Sequence, residues 1–249
     1  MAAETVMRVA AIVPAAGAGR RLGSRGAKAF VPIRGEPLAV HALKILEAHP
    51  AVRWIIPVVR ESDRDALRRL LRRHRLDKAL DPVLGGPSRA DSVARGFAAV
   101  PERANWILVH DAARPCLRLR LLEAVLKVAR REGAAACGLP ASVTVKAADD
   151  TGSVRLTLDR DQLWLAQTPQ VFRRDWFAQA LTRADHELSG FPDDASLVEA
   201  AGFPVRMVPG DPWNLKVTTR EDLVLAEAIL AHMDQEAARR PLWPGRADF

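Results

Sequence analysis

The chain has 249 residues, 49% of them hydrophobic, enough to bury a sizeable core without disulfide or metal staples. Lys+Arg 37 against Asp+Glu 30 leaves a formal net charge of +7, carried mostly by arginine, which favours anionic partners without choosing among nucleic acid, membrane surface and phosphorylated metabolite. The two cysteines, Cys116 and Cys137, form no CxxC and have no histidine at metal spacing, which excludes a disulfide framework and a zinc site and fits a reduced, cytoplasmic protein.

Val9 to Val13 is an apolar run too short for a membrane span, and the segment after it is glycine- and arginine-rich where a signal peptide would show a cleavage site. It reads as a strand. Further apolar runs without period-2 polarity, at Trp54 to Val59, Trp106 to Val109 and Ala134 to Leu139, read as strands covered on both faces of a parallel sheet. Between them Leu38 to Ala48, Ser62 to His74, Ala90 to Ala99 and Leu119 to Arg131 read as helices. This alternation predicts a doubly wound, mostly parallel α/β sheet, whose ligands bind beyond the carboxyl ends of the strands. Val143 to Leu158 departs from it: apolar residues alternate on either side of Asp149-Asp150-Thr151-Gly152, the pattern of a β-hairpin. Such a hairpin is either an ordinary antiparallel edge or a projecting dimerisation arm. A short strand at Val205 to Val208 and a closing helix from Arg220 to Met233 complete the reading, and Arg239 to Phe249 is a loose tail.

Three loops carry candidate chemistry, two of them directly after strands. Pro14-Ala15-Ala16-Gly17-Ala18-Gly19-Arg20-Arg21 follows the first strand, and its small residues admit backbone N–H groups to a phosphate chain with fixed cations alongside. It is neither a dinucleotide fingerprint, since Leu22 stands where the third glycine belongs, nor a P-loop. Alone it is equally an unliganded strand-to-helix turn. Lys28 adds a second cation on the same loop, and converging cations suggest phosphoryl or nucleotidyl transfer. Gly85-Gly86-Pro87-Ser88-Arg89 opens a helix whose free N–H groups suit a base edge. His110-Asp111-Ala112-Ala113-Arg114 sets an acid after a buried strand, suited to Mg²⁺ or a ribose hydroxyl, or else to a loop ion pair with Arg114. The arginine-rich helix Arg64 to Arg75 is the feature that suits a nucleic-acid-binding module, but it also carries Asp63, Asp65 and Asp77 and lacks aromatic residues for stacking, so a solvated face is favoured. No GxSxG supports a serine hydrolase.

Taken in order, Pro14-Ala-Ala-Gly-x-Gly-x-Arg21, Lys28, Gly85-Gly86-x-x-Arg89-x-x-Ser92, His110-Asp-Ala-Ala-Arg-Pro115, Arg160-x-x-Leu-Trp164, Thr168-Pro-Gln170, Asp194-Ala-Ser196 and Asn214-x-Lys216-Val-Thr218 resemble the 2-C-methyl-D-erythritol 4-phosphate cytidylyltransferases of the non-mevalonate isoprenoid pathway, from about Val9 to about Met233. The resemblance implies a homodimeric, cytoplasmic, Mg²⁺-dependent enzyme of Rossmann-like fold, with one domain over residues 1–238, an arm over about 141–160 and a tail at 239–249. It implies CTP contacts at Pro14, Ala15, Ala16, Gly17, Gly85, Gly86, Ser92 and Asp111, with the metal held mainly by CTP phosphates and Asp111. Arg21, Lys28, Arg160 and Lys216 match catalytic positions, while Asp111, Arg114, Thr144, Arg160, Thr168 and Lys216 match methylerythritol phosphate contacts, Thr144 and Arg160 from the partner's arm. Cytidylyltransferases for ribitol or glycerol phosphate are the nearest alternative. The chain departs from the family pattern at Ala27, where proline is usual, at Val143, where an aspartate is usual, and at Pro192 before Asp193-Asp194.

Overall fold

Val9–Pro14 (β1) is buried along almost its whole length because it lies inside a seven-stranded sheet with helices packed on both faces. Val9, Ala11 and Val13 feed one core and Ala10 and Ile12 the other, which is why the run shows no polar alternation. The computed structural model describes residues 6–17, 27–184 and 187–239.

In chain order there follow a small ladder of β2 (Pro32–Ile33) and β3 (Glu36–Pro37), then α1 (Leu38–Ala48), β4 (Val52–Val59), α2 (Arg64–Arg73), β5 (Val83–Leu84), α3 (Arg89–Ala98), β6 (Trp106–Val109) and α4 (Leu119–Glu132). After them come β7 (Ala134–Pro140), β8 (Val145–Ala148), β9 (Val154–Leu158), β10 (Trp164–Arg173), α5 (Arg174–Arg183), α6 (Asp194–Ala200), β11 (Arg206–Pro209) and α7 (Arg220–Arg239). The sheet order is β11-β7-β10-β6-β1-β4-β5. β1 runs parallel to β4 and β6, β4 to β5, and β7 to β11, whereas β10 is antiparallel to both of its neighbours, β6 and β7. One face buries Leu43 and Leu46 of α1, Leu67 and Leu71 of α2, and Leu122 and Val125 of α4. The other buries Val93 of α3, Phe177 of α5 and Val198 of α6. Burying each such large side chain contributes roughly 1.5–3 kcal/mol. A smaller cluster under α7 joins Leu38, Cys116, Val217, Ala226 and Leu230.

The doubly wound, mostly parallel sheet stands as the sequence predicted. The segment from 164 to 204, where the sequence pattern assigned no element, is corrected: it holds β10, α5 and α6. β10 was hidden because Gln167, Thr168 and Gln170 are polar yet buried, and Pro169 interrupts the run. The closing helix continues past Met233 to Arg239, and residues 240–249 lie outside the described residues.

The hairpin is not an edge of the main sheet. β8 and β9 pair in a two-stranded sheet of their own. Their turn is made by Asp149, whose Oδ1 accepts from the N–H groups of Thr151 and Ser153, and by Gly152 at φ +84. Val143, Val154 and Leu156 are exposed by 67%, 59% and 56%, so this element buries little of its own apolar surface.

Candidate active site

The carboxyl ends of β1, β5 and β6 open on a cavity of about 430 Å³. Its wall includes Pro14 at the end of β1, Ala15, Ala16 and Gly17 after it, Gly86 and Ser92 near the start of α3, and Lys28, Arg89, Asp111 and Lys216. Of the expected positions, Arg21 lies outside the described residues. Among the described residues on either side, the Lys28 N–H donates to the Gly17 carbonyl at 3.3 Å.

The base of the second turn is set by packing. A Cβ on Gly85 would fall 2.8 Å from the Ala16 Cβ and 2.9 Å from the Ser92 Oγ, so only glycine lets the two turns approach this closely. The Gly86 N–H donates to the Ser92 Oγ at 3.0 Å, and that hydroxyl donates to the Ser88 carbonyl at 2.9 Å. Ser88 and Asp91 form a reciprocal capping box on α3, which fixes the helix end that faces the cavity.

Asp111 is the centre of the charged network. Its side chain accepts from the Arg89 Nε at 3.0 Å on Oδ1 and from the Lys216 Nζ at 2.7 Å on Oδ2. Burial alone would raise its pKa, but the neighbouring Arg89, Lys216 and Arg114 charges hold the carboxyl well below the usual range. It is therefore ionised at neutral pH. Behind it, the Thr168 Oγ1 accepts from the Asp111 N–H at 3.0 Å and lies 3.2 Å from His110 Nδ1, while His110 Nε2 lies 3.2 Å from the Arg114 carbonyl. One arrangement satisfies all three contacts: the threonine hydroxyl donates to Nδ1, and Nε2–H donates to the carbonyl. Burial agrees with this neutral imidazole, holding the His110 pKa down to about 4.

Lys216 owes its place to a second set of buried groups. The Arg114 Nη1 donates to the Asn214 carbonyl at 2.7 Å, the Asn214 amide donates to the Thr168 carbonyl at 2.7 Å, and the Gln167 amide donates to the Asp211 carbonyl at 3.1 Å. These bonds fasten the loop after β11 to β10. Arg114 and Thr168 are buried and are not among the residues lining the cavity; they hold the loops that do. Thr144 and Arg160 are exposed on the hairpin and its base, Arg160 reaching the Ser142 carbonyl at 3.4 Å, and neither lines this cavity of its own chain. Asp194 is a member the residue pattern left without a role: it is 2% exposed and accepts from the Arg89 Nη2 at 2.8 Å. The Pro192-Asp193 departure serves as a helix cap, since Asp193 accepts from the Ser196 N–H.

Glycine-backed turns and three cations around one carboxylate, at the carboxyl edge of a doubly wound sheet, define a nucleotidyltransferase. The comparisons with known proteins narrow the class. The family model described as 2-C-methyl-D-erythritol 4-phosphate cytidylyltransferase matches residues 9–232. The chain is 42% identical over 224 residues to the protein of that name from Syntrophus aciditrophicus, covering 90% of this chain and 96% of the relative. It is 43% identical over 225 residues to that from an Azoarcus species, covering 88% and 93%. Among solved structures, 4-diphosphocytidyl-2C-methyl-D-erythritol synthase from Anaerococcus prevotii superposes with a TM-score of 0.79 at 27% identity, covering 91% of this chain and all of the other. The cytidylyltransferase from Thermus thermophilus gives 0.72 at 32% identity, covering 90% and 100%. The chain belongs to the 2-C-methyl-D-erythritol 4-phosphate cytidylyltransferase family.

Proposed function

We propose that residues 1–238 form one catalytic domain that transfers the cytidylyl group of CTP to 2-C-methyl-D-erythritol 4-phosphate, with the roles of individual residues as follows. A phosphate oxygen of the acceptor attacks the α-phosphorus in line with the departing pyrophosphate, giving 4-diphosphocytidyl-2-C-methyl-D-erythritol. The attacking oxygen is already anionic, so no covalent enzyme intermediate or strong base is required. Catalysis is alignment and charge stabilisation. Lys28 and Lys216 face the phosphates, and Arg21 is assigned the role of a further cation for them; Ala15, Ala16 and Gly17 supply backbone approach; Gly85, Gly86 and Ser92 form the turn at the base; Asp111 lies toward the ribose and acceptor. The observation that carries this reading is the convergence of Lys28, Arg89 and Lys216 on one cavity whose wall holds a single acid, Asp111, among the described residues.

The donor set bears on the metal. Among the described residues no group of three or more His, Cys, Asp or Glu side chains is arranged to hold an ion. Each Asp111 oxygen already accepts from a cation and keeps one further lone pair. These residues fit a divalent ion bound mainly by triphosphate oxygens, with Asp111 as its one protein ligand, and we assign Mg²⁺ on that basis. When bound, the ion offsets the charge of the triphosphate and of the pyrophosphate that leaves. We place the enzyme in the cytoplasm: Cys116 and Cys137 are both free and buried, their thiols pushed up to about 12 by burial. No described helix is long and apolar enough to cross a membrane.

The active unit we propose is a homodimer in which the arm brings Thr144 and Arg160 to the neighbour's cavity. The exposed apolar residues of the arm, and the fact that neither of those two side chains lines the cavity of its own chain, support it. Two experiments test the proposal. Pyrophosphate release measured across a grid of nucleoside triphosphates and polyol phosphates is expected to peak for CTP with methylerythritol phosphate; a preference for ribitol or glycerol phosphate would overturn the acceptor. Mixing inactive Arg21→Ala chains with inactive Arg160→Ala chains is expected to restore part of the activity, because one site in each mixed dimer is intact. No recovery after subunit exchange would remove the shared site.

A further inference from the structure

Arg89 is the first residue of α3, the helix whose amino end carries the glycine turn, and its guanidinium joins two acids from distant segments. Its Nε donates to Asp111 and its Nη2 to Asp194, with side-chain exposures of 27% for Arg89, 8% for Asp111 and 2% for Asp194. The helix start that carries Asp194 is tied to β10. Asp194 opens α6, whose preceding residue Asp193 accepts from the Gln170 amide at 2.8 Å, while the Ala195 N–H donates to the Gln170 Oε1 at 2.9 Å. Gln170 in turn is a buried residue of β10, the strand that pairs with β6 directly before Asp111. Asp194 does not line the cavity, so the contact it makes to the reacting groups runs through Arg89.

Asp111 has two oxygens and three cationic partners, Arg89 on Oδ1 and, on Oδ2, Lys216 at 2.7 Å with the Arg114 Nε at 3.9 Å, and the distribution matters. A lysine ammonium has three N–H donors. With Arg89 on Oδ1, the carboxylate meets Lys216 through Oδ2, and the other two donors of Lys216 remain available to a phosphate. Without Arg89, Oδ1 loses its cation, and the carboxylate can turn about its Cβ–Cγ bond to take the ammonium with both oxygens. We propose that Arg89, anchored by Asp194, is a positioning residue for the transfer: it restricts Asp111 to one oxygen toward Lys216 and so keeps the lysine directed at the phosphate. The inference rests on the functional reading above. It gives Asp194, a buried acid outside the cavity, a part in turnover.

Steady-state kinetics with CTP and methylerythritol phosphate on Arg89→Gln, Arg89→Lys, Asp194→Asn and the Arg89→Gln/Asp194→Asn double variant test it. Wild-type turnover on this pair checks the functional reading; the ratio of each variant to wild type checks the role of Arg89. Arg89→Gln is expected to lower kcat about 10- to 100-fold with KM for either substrate changed by less than about threefold, as for a misaligned rather than missing group. Arg89→Lys should recover part of that loss. Asp194→Asn should lower kcat in the same direction, and the double variant should be no slower than Arg89→Gln, because Asp194 acts through Arg89. A merely structural pair would instead lower the melting temperature and the fraction of active sites. If kcat per active site stays within about threefold of wild type in Arg89→Gln and Asp194→Asn, the proposal is wrong; if Arg89→Gln does not fold, Arg89→Lys and Asp194→Asn decide by the same criterion.

Discussion

Lys216 and His110 show how two side chains on either side of Asp111 differ in chemistry because they differ in burial. Lys216 is partly exposed and ion-paired with Asp111, whereas His110 is fully enclosed and its charge is suppressed. Lys216→Ala removes a preorganised cation, and kcat is expected to fall ~10²- to 10³-fold, about 3 to 4 kcal/mol in the barrier, with circular dichroism unchanged. His110 makes a prediction about stability. Its folded pKa of about 4 lies below the ordinary 6.5, so the unfolded chain binds the proton more readily. The fold has its full stability above pH 6.5 and loses it progressively as pH falls toward 4, by on the order of 3 kcal/mol for this group alone. His41 and His49, also lowered by burial, act in the same direction. Asp111 does not contribute in that window, because a carboxylate held below its usual range loses its stabilisation only at lower pH. Urea midpoints measured from pH 7.5 to 4.5 should show the slope, and His110→Gln should flatten it; an unchanged slope would assign it elsewhere.

At the level of single elements, α3 and the hairpin are specified by different physics. α3 carries its start signal in sequence, Ser88 and Asp91 forming the capping box, and Ser88→Ala is expected to cost about 1 kcal/mol in unfolding free energy and to raise KM for CTP by loosening the turn at Gly86. The hairpin is specified by its alternation and turn, but its apolar residues face outward. If they bury against a second chain, Val154→Glu combined with Leu156→Glu should give a monomer in sedimentation velocity, with activity lost and the melting temperature little changed. A dimer that survives this change would place its interface elsewhere. How far residues alone foretold these elements follows from what each buries. β1, β6 and β7 were evident because both of their faces meet hydrocarbon, and α1 because its apolar residues recur at helical spacing. β10 was not, since Gln167, Thr168 and Gln170 are buried for their hydrogen bonds to the site, and polarity that serves a site looks from sequence like the polarity of a loop. The same difference explains the site itself: the first glycine turn and Asp111 follow apolar runs and were found, whereas Asp194 and its bond to Arg89 depend on a contact between residues 105 positions apart.

Across the whole molecule, the charge that first suggested an anionic partner divides into two populations. Arg64 and Arg68 of α2 bond Asp81 and Asp65 on the surface, so the most basic helix is partly neutralised where it stands. Lys28, Arg89 and Lys216 instead line a cavity with one acid among the described wall residues. Raising ionic strength should therefore increase KM for CTP while leaving kcat nearly constant, since screening weakens the capture of a polyanion more than interactions within the enzyme–substrate complex; a falling kcat at constant KM would contradict this. The sheet order carries one more consequence, for synthesis. β1, β4, β5 and β6 lie side by side and are all complete by Val109, so they are able to associate while the rest of the chain is still being made. β7 has no partner among them. It waits for β10, which must emerge through Arg173 and enter in the opposite direction between β6 and β7. Until then both strands present open edges, and Asp111 lacks the threonine behind it and the lysine above it. A ribosome-bound chain stopped shortly before Trp164 is thus the form most exposed to aggregation, and the active site is among the last parts of the protein to exist.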